Sequence, residues 1–335
     1  MKTSSFLQRL SFARVVVMAS PWSILSRAKI VVFTVFLPIG ACVLPLDVVA
    51  ATVAQAQIRF QLGATLGEFI FDTGVLRGNL RADGKSLGLS SVVHVPSDTV
   101  LDRSMGLFSH YRLFTNGKRY GAGVWDLPSN ANLRPDGAVE MTVINAPDRP
   151  FELRAIYRWH DPATLDLETV VKAKRDLPGF EVFLASYFGS QFTNALVFTT
   201  IDSEPKFVAA DRSAGHWQMY VRDDAALGLV NDGRWTFPPN PVDWTVCGKL
   251  AQPFAIRRAL DLNLNALLMA PVGECFAIAT PHQTESHYST YFSLFGRDLK
   301  SGETAHARSR LAIRGALSDS DAVKLYNDYA HELRR

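Results

Sequence analysis

The stretch 151-FELRAIYRWH-160 alternates Phe151, Leu153, Ala155, Tyr157 and Trp159 with Glu152, Arg154, Ile156, Arg158 and His160. Successive side chains of an extended chain point to opposite faces, so this period of two predicts a strand with one packed and one mostly polar face. Working outward, segments 165–174, 180–188, 195–201, 217–222, 266–269, 275–280 and 306–313 are rich in β-branched and aromatic residues, and Gly, Pro, Asn or Asp separate them. The run 180-FEVFLASYF-188 is almost wholly apolar, which places it at the centre of a sandwich. One helix is expected, over 319–334. Ser318 or Ser320 can cap it, Asp319 and Asp321 suit its first turn, and Val323, Leu325, Tyr326, Tyr329 and Leu333 form its inward face, with Arg334 and Arg335 at the negative end of its dipole. Many short strands and few helices predict an all-β protein, a large two-sheet antiparallel β-sandwich of the supersandwich type with a short C-terminal helix.

The N-terminus reads differently. Arg27 and Lys29 precede an uncharged run, 30–46, and Ala54-Gln55-Ala56 offers the small residues of a cleavage site, so 1–56 is expected to be a secretory signal and the mature chain secreted or periplasmic. Met18 is an alternative start. An uncleaved span over 30–46, or lipidation at Ile39-Gly40-Ala41-Cys42, would be the only route to a membrane. The remaining 57–335 holds no linker, low-complexity tract or fixed-period repeat and reads as a single β-sandwich domain. The whole chain has 35 basic and 32 acidic residues; five basic groups and one acid lie in 1–56, leaving 30 against 31. The excess positive charge belongs to the targeting segment, and no nucleic-acid partner is expected. Once Cys42 leaves, Cys247 and Cys275 form an even pair in an oxidising compartment, and a disulfide between them is expected, with two buried thiols as the alternative.

The passages 76-LRGNLRADGKSLGLSSVVHVPSDTVLDRSMGLFSHYRLF-114, 232-DGRW-235 and 291-YFSLFGRDLKSGE-303 resemble the galactose-mutarotase-like β-supersandwich superfamily, over about 69–314. That superfamily includes aldose 1-epimerases and sandwich domains of glycoside hydrolases and polysaccharide lyases. The resemblance implies a deep twisted sandwich with a sugar-sized cleft on its concave face, hence a carbohydrate ligand. The Asn-His pair of the aldose epimerases is missing, and the nearest analogue is His110-Tyr111-Arg112.

Interconverting sugar anomers requires one group to take a proton and another to give one. His110, Glu285 and His287 are the candidate catalytic residues. Glu285 and His287 are two apart and share a face if extended, with His282 entering from the preceding turn, and His110 shares a face with Arg112 by the same rule. Arg112 can receive sugar hydroxyls or a uronate carboxylate on its fork of donors. Tyr111, Trp125, Asp211, His216, Trp217 and His282 complete the candidate binding set, the tryptophans offering flat faces to a pyranose. Trp159, Trp235 and Trp244 are weaker candidates of the same kind. No cofactor is expected. His282, Glu285 and His287 match no helical zinc spacing, so no metal is expected either. The loop 78-GNLRADGKS-86 has five residues where a phosphate loop has four, and no GxSxG elbow exists. Three functions fit these residues: an acid-base enzyme acting on a sugar or glycan, a non-catalytic carbohydrate-binding module, and a structural or assembly protein of the cell envelope.

Overall fold

The computed structural model describes residues 58–81, 88–103 and 105–334. The expected leader 1–56, with Cys42, lies outside the described residues, as do 82–87 of the resembling passage. Phe151–Asp161 is a strand whose odd-numbered residues to Trp159 are buried while its even-numbered ones are partly or fully exposed. Antiparallel partners flank it, Thr164–Ala173 on one side and Val139–Val143 on the other. The expected strands at 165–174, 195–201, 217–222, 266–269, 275–280 and 306–313 are all present within a residue or two.

A hydrogen-bonded path makes two layers. The front layer runs from Ser109–Thr115 through Leu177–Tyr187, Ser289–Leu299 and Cys275–Pro281 to Trp217–Val221; the back layer runs from Leu264–Met269 through Thr304–Arg314 and Thr164–Ala173 to Phe151–Asp161. The long strand Thr245–Ala259 belongs to both. Its first residues pair with Trp217–Val221 and its last with Leu264–Met269. Between the layers lies the largest apolar core. Phe180 bridges it, 5.4 Å from Phe151 behind and 5.6 Å from Phe295 beside it, and the buried Tyr157 hydroxyl donates to the Phe108 carbonyl at 2.9 Å. Covering this core removes apolar surface from water at roughly 25 cal/mol per Å².

The sandwich departs from pure antiparallel pairing at one place that matters. Trp217–Val221 and the start of Thr245–Ala259 run parallel, and parallel neighbours need a long crossover. Residues 222–244 supply it. They begin with a helix the sequence pattern did not announce, Asp224–Val230, capped by the Asp223 carboxylate, which accepts from the Ala226 N–H at 2.8 Å. The expected C-terminal helix is Asp319–Glu332, with the Ser318 side chain accepting from the Asp321 N–H at 3.1 Å. It docks on the back layer, where Tyr326 stacks on Phe254 at 5.5 Å. No helix among the described residues is long and apolar enough to cross a membrane.

The expected disulfide does not form. Cys247 and Cys275 are both free thiols, and the topology shows why. Trp217–Val221 lies between their strands, so they are separated by two ladder spacings, about 9.5 Å, before any offset along the chain is added. A disulfide needs its Cα atoms within about 7 Å.

Candidate functional site

The apolar run 180–188 is buried on both faces because it divides two clusters. Val182 and Leu184 enter the inter-layer core, while Phe183, Ala185 and Tyr187 point the other way into a second aromatic cluster. The neighbouring strand Ser109–Thr115 should alternate likewise, but Phe183 pairs with Arg112 and Leu184 with His110, so Tyr111 is an extra residue in the ladder. Such a β-bulge breaks the period of two. The expectation that His110 and Arg112 share a face is therefore overturned. His110 turns into the inter-layer core and Tyr111 and Arg112 turn out of it.

Outside the front layer the second cluster forms a cleft of two adjoining cavities. One, about 350 Å³, is lined by Tyr111, Arg112, Phe183, Tyr187, Tyr291 and Trp217, and is closed by His287, Trp244 and the 240–242 segment of the crossover. The other, about 410 Å³, is lined by Arg103, Met105, Trp125 and Ser286. Tyr111, Tyr187, Asn240 and His287 belong to both, which makes them the wall between. Each volume is within the range of small-molecule sites. The Trp125 ring stacks on Tyr111 at 4.4 Å and 17°, and Trp217 meets Trp244 edge-on at 5.9 Å. Burial pushes both cleft tyrosines up, Tyr291 to about 12 and Tyr187 further, and the Tyr291 hydroxyl donates to that of Tyr187 at 3.4 Å.

Arg112 is 3% exposed. Its Nη2 donates to the Asn240 carbonyl at 2.9 Å and to the Tyr111 hydroxyl at 3.2 Å, and its guanidinium carbon lies 4.6 Å from the centre of the Tyr111 ring and 5.4 Å from Trp235. Its Nε and Nη1 have no partner.

His287 lines the cleft and Glu285 does not, and neither is on a strand. They occupy the turn between Cys275–Pro281 and Ser289–Leu299, where Glu285 accepts from the His287 backbone N–H at 2.7 Å and lies 2.8 Å from its Nδ1. Burial works against the Glu285 charge, but these bonds with His287 hold its carboxyl below the ordinary range. A carboxylate on Nδ1 fixes the ring and leaves Nε2 as its second polar atom. Trp217 supports the imidazole at 5.5 Å.

Other expected site residues fall elsewhere. His110 is fully buried, with Nε2 2.9 Å from the Thr169 hydroxyl, and burial lowers its pKa to about 4. It shares no cavity with Glu285 or His287, so the idea that it acts with them on one substrate is corrected. Asp211 caps the turn 212–214, accepting from the Ser213 N–H at 2.8 Å and the Ser213 hydroxyl at 2.7 Å. His216 and His282 face each other at 4.9 Å behind Trp217, outside the cavity linings; burial first, then the neighbouring His216, lowers the His282 pKa. Trp159 is core, against Phe71 at 4.8 Å, and Trp235 lies under Arg112. Among the described residues no group of three His, Cys, Asp or Glu side chains is placed to hold a metal ion. Tyr187, Tyr291, Arg103 and Asn240 were not singled out from sequence. Tyr187 carried one signal, its place four residues along a strand from Phe183; Arg103, Tyr291 and Asn240 lie on no strand shared with another cleft residue.

No family model and no curated protein matches this chain. Solved structures similar in overall course include a candidate aldose 1-epimerase from Escherichia coli K12, at 11% identity and TM-score 0.43, covering 74% of this chain and 100% of that one. An aldose epimerase homologue from C. elegans is 8% identical at TM-score 0.41, with 72% and 96% covered. An alpha-N-acetylgalactosaminidase from Bifidobacterium bifidum is 9% identical at TM-score 0.46, with 82% of this chain but 39% of that one covered. Likenesses this distant carry no argument about what the cleft binds.

Proposed function

We propose that this cleft binds a carbohydrate. The observation that carries the reading is the aromatic lining of two adjoining sugar-sized cavities, with Tyr111, Tyr187, Asn240 and His287 shared between them. Flat apolar faces suit the C–H face of a pyranose, while tyrosine hydroxyls, an amide and a guanidinium supply the few converging polar groups that fix orientation. Two lobes fit two sugar units better than one. In this reading the chain works outside the cytoplasm after losing 1–56, as its leader suggests.

Proton transfer is a second reading, favoured by the Glu285–His287 pair. A histidine oriented by a carboxylate is the arrangement that poises an imidazole as a base. The cleft offers no carboxylate of its own as the partner acid, and a tyrosine hydroxyl, Tyr187 or Tyr291, would have to serve. NMR of reducing sugars separates the two. Line broadening or tryptophan-fluorescence change on adding sugar supports binding, and faster exchange between anomers, lost in His287→Ala, adds catalysis. Absence of any response to a panel of mono- and disaccharides would overturn the carbohydrate reading.

A further inference from the structure

We infer that the sugar this cleft takes carries an anionic group, received by Arg112. The inference rests on the carbohydrate reading and narrows it. A buried guanidinium removed from water needs both a countercharge and acceptors for its five N–H donors, and the interior of this protein ordinarily supplies them. Arg310 is held by Asp166 and Glu332. Arg257 has no acid but places Nε, Nη1 and Nη2 on the Thr290 and Thr280 hydroxyls and the Phe192 and Ser289 carbonyls. Arg112 has neither. Among the described residues it forms no ion pair, and two of its three nitrogens are unpartnered while it lines the cavity.

The surroundings are positive as well. Arg119 lies close enough that, after burial, repulsion from Arg112 lowers its pKa, and its own donors rest on backbone carbonyls, Gly121 at 3.2 Å and Phe237 at 3.3 Å among them. Arg103 enters the second lobe and donates to the Ser286 carbonyl. No aspartate or glutamate lines either lobe. A neutral sugar would leave this charge uncompensated; a carboxylate or phosphate on the sugar would supply both the charge and the acceptors. The 240–242 segment, through the Asn240 carbonyl, holds the guanidinium in place from the crossover side.

The test is calorimetric titration of the chain with galacturonate, galactose 6-phosphate and galactose. We expect at least one anionic sugar to bind roughly 10- to 100-fold tighter than galactose, the range of a charge-assisted hydrogen bond, and the preference to shrink as salt rises. Galacturonate alone being preferred identifies a carboxylate, and the phosphate alone a phosphoryl group; both outcomes uphold the inference. In Arg112→Met the preference for the anionic sugar over galactose should vanish, and Arg112→Lys should restore part of it. Equal affinities for galactose and both anions in the unaltered chain would overturn the inference and leave the carbohydrate reading standing. Binding of none of the three sugars would sink both. Because the preference is first read on the unaltered chain, misfolding of a variant does not blunt the test.

Discussion

Arg112 and Arg234 are buried in the same aromatic cluster, one against Tyr111 and Trp235, the other against Phe114. Their polar surroundings are opposite. Arg234 donates to Glu181 at 2.8 Å and to Asp232 through Nε and Nη2, at 2.7 Å for the latter; burial opposes its charge, yet these two acids raise its pKa above the ordinary value. Arg112 has one nitrogen satisfied and no acid. Burial alone therefore marks neither a site nor a strut. The closed network pins the crossover to the floor of the front layer, through Glu181 of Leu177–Tyr187, and the open one faces the cavity that the crossover helps to enclose.

The largest effect should come from breaking the closed network. Arg234→Met leaves Glu181 buried without its partner, and urea unfolding should show a loss of about 3–5 kcal/mol; a loss below about 1 kcal/mol would mean the pair contributes little. Arg112→Met should differ sharply. Removing an unpaired buried charge is expected to change stability by less than about 1 kcal/mol in the absence of ligand, in either direction, and an unfolded variant would show that Arg112 is a strut after all.

His110 extends the comparison to the inner face of the same bulged strand. Its folded pKa of about 4 lies below the value near 6.5 of an unfolded chain. The unfolded chain thus gains a proton first as pH falls, so stability is intact above about 6.5 and is lost down to about 4, by about 3 kcal/mol from this one group. His110→Gln should flatten that part of the stability-pH curve; an unchanged slope would place the titration elsewhere. A smaller effect is expected at Trp125→Ala, which removes the ring stacked on Tyr111. Sugar affinity should fall about 2- to 10-fold, as for the loss of an aromatic pair, with little change in unfolding. The smallest concerns the thiols. Alkylation without reductant should add mass at Cys247 readily and at the buried Cys275 only on unfolding, and reductant should leave stability unchanged.

Much of the sandwich was legible because its signals are local: 151–160 declares its two faces by alternation within ten residues, and 180–188 declares burial on both sides by being apolar almost throughout. The cleft was only half legible. Tyr111, Arg112, Trp125, Trp217 and His287 stood out as polar or aromatic residues in strand-rich surroundings, but the bulge at Tyr111 is defined by where Phe183 and Leu184 fall on the partner strand, which no stretch of one strand records. It reversed the role of His110. Trp235 and Trp244 stood out singly, but the wall that joins them did not, for a related reason. It belongs to a crossover demanded by one parallel strand pair, and that pairing joins residues about 27 apart in sequence with no periodic sign between them. The cysteine pairing failed on the same ground, since the intervening strand is a fact of topology.

The most direct test of the cleft is a crystal structure of the protein grown with galacturonate or galactose 6-phosphate. The account predicts the sugar ring against the Tyr111–Trp125 and Trp217 faces, with its anionic oxygens about 3 Å from Nε or Nη1 of Arg112. A sugar seated elsewhere, or one in the cleft with its anionic group turned to solvent and Arg112 still unpartnered, would contradict it.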